Sequence, residues 1–501
     1  MQNGGTDWKR YLIFLTIVFV VLVVYDYFVT TQQATRTLQN ETRRTEEVKP
    51  VKTAEVNLYL GSEREKLVPK EFVEFDLQNA RIKVALEGAK LVSVYDKKFK
   101  RELIEPYERA YNIYPLEILT PSWETTKVLN FSKYDCKKED LTLVCSMKNG
   151  TVEATKVFKF SPEGYLTQVE VNLKGVEKPY LYLGMTPDED PFFTHIGPLF
   201  KTTDGEVLRI NIEDVQPPQT LHGDFLWSAE EGRYFIKAAR YETDTAVIFK
   251  VSYLKDGETK FVGATAIAIE PRAQVLFLGG PKEYELLKKV DFVEAIDFGV
   301  LKAIAYPTFL VLYYFYKLTG SWVAAIFILT LLIRIIFFPL SISSTRSMKK
   351  MQEIAPKLEE LRKKYADDPQ KLQQEMIKLY KEVGFNPFGG CLPILVQIPI
   401  FFALYKVLIV TPDLALEGFL WIPSLAEKDP YFILPILMGL TMIAQAWITP
   451  SPSGQQNRLM YLMAIIFTFL FATFPSGLVL YWTLNNIFTL IQTWIIYKYL
   501  S

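Results

Sequence analysis

Residues that carry metal, redox and imidazole chemistry are scarce in this chain: three cysteines and two histidines stand among 501 residues. No cysteine spacing matches a zinc or dithiol motif. No Gly-x-x-x-x-Gly-Lys-Ser/Thr stretch offers a phosphate-binding loop, so ATP is not an evident energy source, and no cofactor is expected. Net charge is missing as well, since 56 Lys and Arg balance 56 Asp and Glu. That balance hides a segregation along the chain, and local charge rather than the total sets membrane topology. Internal repeats and paired broken helices are also absent, which argues against a secondary transporter.

Long apolar runs are what the chain has instead. Half of the residues are hydrophobic, with 35 Phe and 28 Tyr, and several runs reach membrane length. Residues 11–29 form the first, with Lys9 and Arg10 before it and no small-residue cleavage pattern after it. It reads as an uncleaved anchor with residues 1–10 in the cytoplasm. Residues 30–54 hold almost nothing large and apolar and read as a linker.

From 55 to 290 the pattern changes to period-two alternation: Ile82, Val84 and Leu86 recur, as do Val169, Val171 and Leu173. Further strands are expected at 246–253 and 272–278, with turns at Pro162-Glu163-Gly164, Asp204-Gly205 and Asp256-Gly257. The expectation is an exported all-β domain, a large β-sandwich. Cys136 and Cys145 bracket 137–140, an expected hairpin turn. Two readings stand for them, a disulfide in an oxidising compartment or two reduced thiols in apolar packing. Cys391 reads as packing. His195 and His222 both fall in this domain, and with a carboxylate they could act on a sugar ring. No spacing places the two imidazoles together.

The rest of the chain alternates between membrane and water. Residues 291–320 are aromatic but interrupted by Lys302, Pro307 and Lys317. Residues 346–382 carry ten Lys/Arg against seven Asp/Glu and belong inside. An odd number of crossings must separate them from the exported domain, so 321–340 spans and 291–320 lies along the outer surface as an interfacial helix. Within 341–387, Met348, Met351, Ile354, Leu358, Leu361 and Tyr365 repeat at three and four, as do Leu372, Met376, Leu379 and Val383. Two amphipathic helices joined at Asp368-Pro369 form a cytoplasmic hairpin, with Pro356 a candidate kink. Its Met-containing stripe (Met348, Met351, Leu358, Leu361, Met376) suits an adaptable contact surface. Spans follow at 388–410, 431–448, 459–474 and 477–497, joined by an acidic outer loop at 411–430 and an inner loop at 449–458. The count is six transmembrane helices, with both termini cytoplasmic.

Arg334 stands inside 321–340, four residues after Thr330 and on the same helix face. It can snorkel to the headgroups or act as an intramembrane functional cation. The spans hold no acid to match it, yet they carry Gln397, Thr441, Gln445, Thr468, Thr473, Tyr481, Asn485, Asn486 and Gln492. Many amides and hydroxyls around one cation suggest a wetted cavity. Its charge would draw acidic, unfolded segments from the cytoplasm.

Three motifs sharpen this. Asn386-Pro-Phe-Gly-Gly-Cys-Leu-Pro-Ile-Leu-Val-Gln-Ile-Pro-Ile-Phe-Phe-Ala-Leu-Tyr405, Asp429-Pro-Tyr-Phe-Ile-Leu-Pro-Ile-Leu-Met-Gly439 and Phe474-Pro-Ser-Gly-Leu-Val-Leu-Tyr-Trp482 resemble the core of the YidC/Oxa/Alb family of membrane protein insertases. The layout before them resembles the Gram-negative type, located in the inner membrane with a large periplasmic domain. The resemblance implies a five-helix core around a hydrophilic groove open to cytoplasm and lipid, a periplasmic super-sandwich of galactose-mutarotase type, and no enzyme activity. It implies groove positions at Thr330, Arg334, Gln445 and Trp482, to which the polar inventory adds Tyr481. The implied partners are nascent membrane proteins, the Sec translocon, membrane lipids and the ribosome. Many relatives end in a longer basic tail than Tyr497-Lys-Tyr-Leu-Ser501, so ribosome contact would rest on the hairpin and on 449–458. The competing functions are an anion channel or transporter and a membrane-anchored periplasmic sugar-binding protein.

Overall fold

A computed structural model describes residues 56–189, 194–215, 218–366, 368–383, 392–448, 454–496 and 498. They divide between Asp297 and Phe298 into two compact units. The expected anchor at 11–29 and linker at 30–54 lie outside the described residues.

The first unit is built from strands whose alternation follows the sequence. In Leu166–Lys174, Thr167, Val169, Val171 and Leu173 are buried while Gln168, Asn172 and Lys174 are exposed, as a sheet with one covered face requires. One sheet has four strands and a second has twelve. Strand Phe235–Lys255 organises the larger one. Along one edge it pairs with Gln219–Glu231. Along the other, Phe235 to Arg240 pair with Arg272–Pro281, and Ala246 to Lys255 pair with Glu258–Ala268. A single long strand thus feeds two branches of the sheet. Asp256 and Gly257, at φ 53° and 82°, close the last hairpin in the left-handed region that a tight two-residue turn demands.

Cys136 and Cys145 face each other across antiparallel strands Asp135–Glu139 and Thr142–Asn149 and form a disulfide. The turn expected at 137–140 is shorter than that: Lys137, Lys138 and Glu139 are in the strand, and the chain reverses at Asp140 and Leu141.

The second unit is helical: Lys302–Thr319 (α1), Trp322–Ile336 (α2), Phe338–Lys364 (α3), Pro369–Glu382 (α4), Leu392–Val410 (α5), Ile433–Ile448 (α6), Gly454–Phe471 (α7) and Ser476–Ile495 (α8). Several expected limits move. The run 321–340 is not one straight helix, because α2 stops at Ile336 and α3 begins at Phe338 with Pro339 in its first turn. Proline lacks the N–H that a continuing helix needs but fits a new first turn. Residues 454–458, placed in the inner loop from sequence, already belong to α7. Pro356 lies within α3 without ending it. No single helix among the described residues is long and apolar enough to cross a membrane, although Trp322–Ile336 and Phe338–Lys350 together are, with a 62° bend between them.

Helices α3 and α4 form the expected hairpin. Asp368 caps α4 by accepting from Lys371 N–H at 3.0 Å, with Pro369 as the first helical residue. Its seam is Ile354, Leu358 and Leu379, with Leu361, Met376, Tyr380 and Val383 packed against them. The stripe expected to be exposed is therefore largely inside the hairpin. Leu358, Leu361 and Met376 hold its arms together because two amphipathic helices bury their apolar faces on each other first. Met348 is half-buried, and nothing is described of the Met351 side chain.

Candidate functional site: a polar seam in the helical unit

One end of the helical unit is tied together by residues 411–430. Each helix start leaves unpaired N–H groups and a partial positive charge, and three of them are met by this segment. Glu417 accepts from Ser321 Oγ at 2.6 Å and Val323 N–H at 3.3 Å, at the start of α2. Asp429, itself buried, accepts from Tyr431 N–H at 3.0 Å, Leu434 N–H at 2.7 Å and Trp421 Nε1–H at 3.1 Å, at the start of α6. At the start of α8, Ser476 donates through both N–H and Oγ to Glu427 O at 2.7 Å, and Gly477 N–H donates to Leu425 O at 2.8 Å. A Cβ at position 477 would lie 3.1 Å from that same oxygen, which explains the glycine.

Both ends of α1 belong to this end too. Gly320, at φ 71°, terminates α1 and leads into the capped start of α2. The turn before α1 places Gly299 against the side chain of Lys406, near the end of α5.

Arg334 lies in the last turn of α2, roughly 20 Å from Ser321 at helical rise. Its Nη2 donates to the main-chain carbonyl of Asn485 at 3.0 Å, on α8. Its Nε is buried with no hydrogen-bond partner. Among the described residues no carboxylate pairs with it. Asn485 Oδ1 and both amide atoms of Gln492 are likewise buried without a partner, and these residues follow Tyr481 on α8 at spacings of four and seven. Tyr481 is fully buried and accepts from Gln397 Nε2. Asn486 Nδ2 donates to Thr441 Oγ1 at 3.0 Å, and Gln445 Nε2 to Thr493 Oγ1 at 3.4 Å, linking α8 to α6.

The outward faces show the reverse chemistry. Leu331, Ile335 and Ile336 on α2, Ile436 and Leu440 on α6, and Ile465 and Phe469 on α7 are exposed apolar residues. Polar groups turned inward and apolar groups outward suit hydrocarbon surroundings.

The other predicted positions divide. Thr330 is buried, but its hydroxyl donates to Ile326 O at 2.6 Å and so is spent on its own helix. Trp482 lies about 100° around α8 from Tyr481 and packs on Phe401, Phe471 and Phe467 with centroids at 5.1, 5.3 and 6.4 Å. It belongs to an aromatic cluster. Gln397, Asn485 and Gln492 were visible in the polar inventory but not singled out. The four-and-seven spacing of Tyr481, Asn485 and Gln492 was the signal that could have done so.

The β unit offers no comparable site at its histidines. His195 bonds Glu231 at 2.7 Å and Ile210 O at 3.1 Å, whereas His222 meets Thr245 Oγ1 at 3.3 Å. The two imidazoles thus serve separate places. Buried charged groups are frequent in this unit. Burial pulls the Glu117 carboxyl upward, but Arg64 and Lys90 beside it outweigh that and hold it below its usual range. Burial pushes Lys156 down to about 7, while Gly88 O, Ala89 O and Leu116 O at 2.9 to 3.0 Å accept all three of its protons. Burial pushes Glu230 up to about 8 between Thr186 and Thr265.

Residues 314–501 match the family described as 60Kd inner membrane protein, and residues 72–311 match the YidC periplasmic domain. A membrane protein insertase YidC from Aquifex aeolicus is 41% identical over 501 residues, covering 99% of this chain and 97% of the relative. Another, from Campylobacter jejuni, is 32% identical over 520 residues with the same shares covered. The crystal structure of an active YidC insertase with its first transmembrane domain resolved aligns at a TM-score of 0.43 and 17% identity, covering 98% of this chain and 100% of that one.

Proposed function

This chain belongs to the YidC family of membrane protein insertases, and from that premise we propose how its own residues perform insertion. It is an inner-membrane insertase acting on nascent membrane proteins, with a periplasmic β domain and a helical carboxy-terminal part. The seam between α2 and α8 is the groove that receives the hydrophilic flank of a substrate. Arg334 carries this reading: a desolvated guanidinium with one carbonyl partner and no acid keeps most of its charge for an incoming group. An acidic or polar flank satisfies it, the apolar segment leaves sideways into lipid, and partitioning of that segment drives the step. No covalent chemistry is needed.

The orientation follows from charge. The acidic segment 411–430 faces the periplasm and the basic hairpin α3–α4 faces the cytoplasm. Arg334 then lies toward the cytoplasmic side, where substrates arrive. With both ends of α1 at the 411–430 end, α1 lies along the periplasmic surface. Six membrane crossings with both termini in the cytoplasm complete the topology. Groove work falls to Arg334, Tyr481 and Gln445, joined by Asn485, Gln492 and Gln397. Thr330 supports the same helix face, and Trp482 braces α8 from the aromatic side. The hairpin meets the nascent chain near Met348 and Met351, since Leu358, Leu361 and Met376 are spent on holding the arms together. The Sec translocon and the ribosome are its partners in the cell.

The test is Arg334→Glu in reconstituted vesicles, with a single-span substrate bearing an acidic exported tail. Insertion is expected to slow about tenfold, the equivalent of roughly 1.4 kcal/mol. Equal rates would reject the electrostatic role.

A further inference from the structure

Leu420 and Phe432 share an unusual condition. Both are bulky, both have positive φ, at 54° and 57°, and both project outward, Leu420 at 77% and Phe432 at 47% exposure. Left-handed backbone at a large side chain costs on the order of 1–3 kcal/mol and persists only where the surroundings enforce it. Enforcement is present. Phe419 and Ile422 exchange N–H···O bonds of 2.8 and 2.9 Å around Leu420. Trp421 is fixed to the buried Asp429 carboxylate, which also holds the N–H groups of Tyr431 and Leu434 on either side of Phe432. The fold therefore spends a buried carboxylate on presenting apolar side chains to the outside.

We propose that Leu420, Tyr431 and Phe432 form a collar that seats in the acyl-chain boundary of the bilayer leaflet next to residues 411–430, its partner being phospholipid. Two observations favour lipid over a protein partner. Tyr431 and Phe432 run directly into the exposed apolar stripe of α6, through Ile433, Ile436, Leu437 and Leu440. Lys428 is exposed beside it, where an ammonium meets a headgroup phosphate. An apolar tip flanked by Tyr and Lys matches the chemistry of the membrane interface. The inference rests on the membrane placement proposed above.

The test uses single cysteines carrying an environment-sensitive fluorophore at position 420, 432, 436 or 254. The background is Cys391→Ser, with Cys136 and Cys145 already bonded to each other. The full chain is reconstituted in phosphatidylethanolamine and phosphatidylglycerol vesicles with spin labels at the headgroup, upper chain or mid-chain. Probes at 420 and 432 are expected to be quenched about threefold more by upper-chain than by mid-chain labels, as interfacial residues are. The probe at Leu254, 78% exposed in the β unit, should respond only to aqueous iodide. Iodide quenching at 420 equal to that at 254, with lipid quenching at 436 intact, overturns the collar and leaves the membrane placement standing. Loss of lipid quenching at 436 as well overturns both. Iodide protection at 420 that rises with protein density, without lipid quenching, assigns the collar to a second protein and also overturns the proposal. In Leu420→Asp, lipid quenching of the probe at 432 should fall about twofold if the residues seat together; an unchanged signal defeats that cooperation.

Discussion

In the β unit, Glu117 lies between Arg64 and Lys90 with all three side chains sealed from solvent, and Lys156 has a carbonyl for each of its protons. In the helical unit, Arg334 has one carbonyl and Gln492 has no partner at either amide atom. The same chain thus buries polar groups in two ways. Closed networks such as those of Glu117 and Lys156 serve the fold, since their charged groups are answered from within. Open ones hold interaction capacity in reserve, at a cost to stability that structure alone does not recover.

This contrast can be broken most directly at its two charged centres. Glu117→Leu leaves two buried cations without their shared anion and should destabilise the β unit by about 3–5 kcal/mol. Hydrogen exchange of its central strands in the full chain would report the loss. Arg334→Leu removes a cation that its own fold leaves largely unanswered, so helical-unit stability should stay within about 1 kcal/mol while insertion falls. A large loss of stability in Arg334→Leu would erase the distinction.

Glu230 tests whether a closed network can still respond to pH. Its folded value, raised from 4.5 to about 8, means that the native state binds more protons than the unfolded state between those limits. Its contribution to stability is complete below pH 4.5 and is lost as pH rises through 8. The β unit should lose about 3 kcal/mol between pH 5 and pH 8 from this group, and Glu230→Gln should flatten that slope. Equal slopes in the two proteins would show the site to be inert. A modest effect belongs to the ties made by residues 411–430. Asp429→Ala removes a helix cap and the acceptor of Trp421, and should cost about 1–2 kcal/mol, seen as faster exchange at the first amides of α6.

The sequence was most informative where a structural cause is local. The Asp368-Pro369 start of α4, the alternation in Leu166–Lys174 and the Asp256-Gly257 turn each depend on neighbours a few residues away. Arg334 stood out because an arginine within an apolar run is chemically conspicuous. Its partner did not, since a main-chain carbonyl at Asn485 leaves no mark in composition or spacing. The pairings of Arg64 with Glu117 and of Lys237 with Glu108 were equally hidden, because strand order brings distant segments together. The break at Phe337 is hidden because hydropathy continues smoothly through it, while the missing N–H of Pro339 acts on geometry alone. The hairpin stripe was misassigned for a related reason: periodicity identifies an apolar face but not what covers it.

The fastening of α2, α6 and α8 to one segment has a mechanical consequence. Helices α2 and α8, pinned at one end and joined near the other by the Arg334–Asn485 bond, behave as the blades of a pair of tweezers. A tilt of about 5° at the pinned end opens the far end by roughly 2 Å over a 20 Å arm. The seam beside Arg334 can therefore widen by about the thickness of a methyl group while the opposite end stays shut, so its width is set by the stiffness of a pivot at the far end of the same helices.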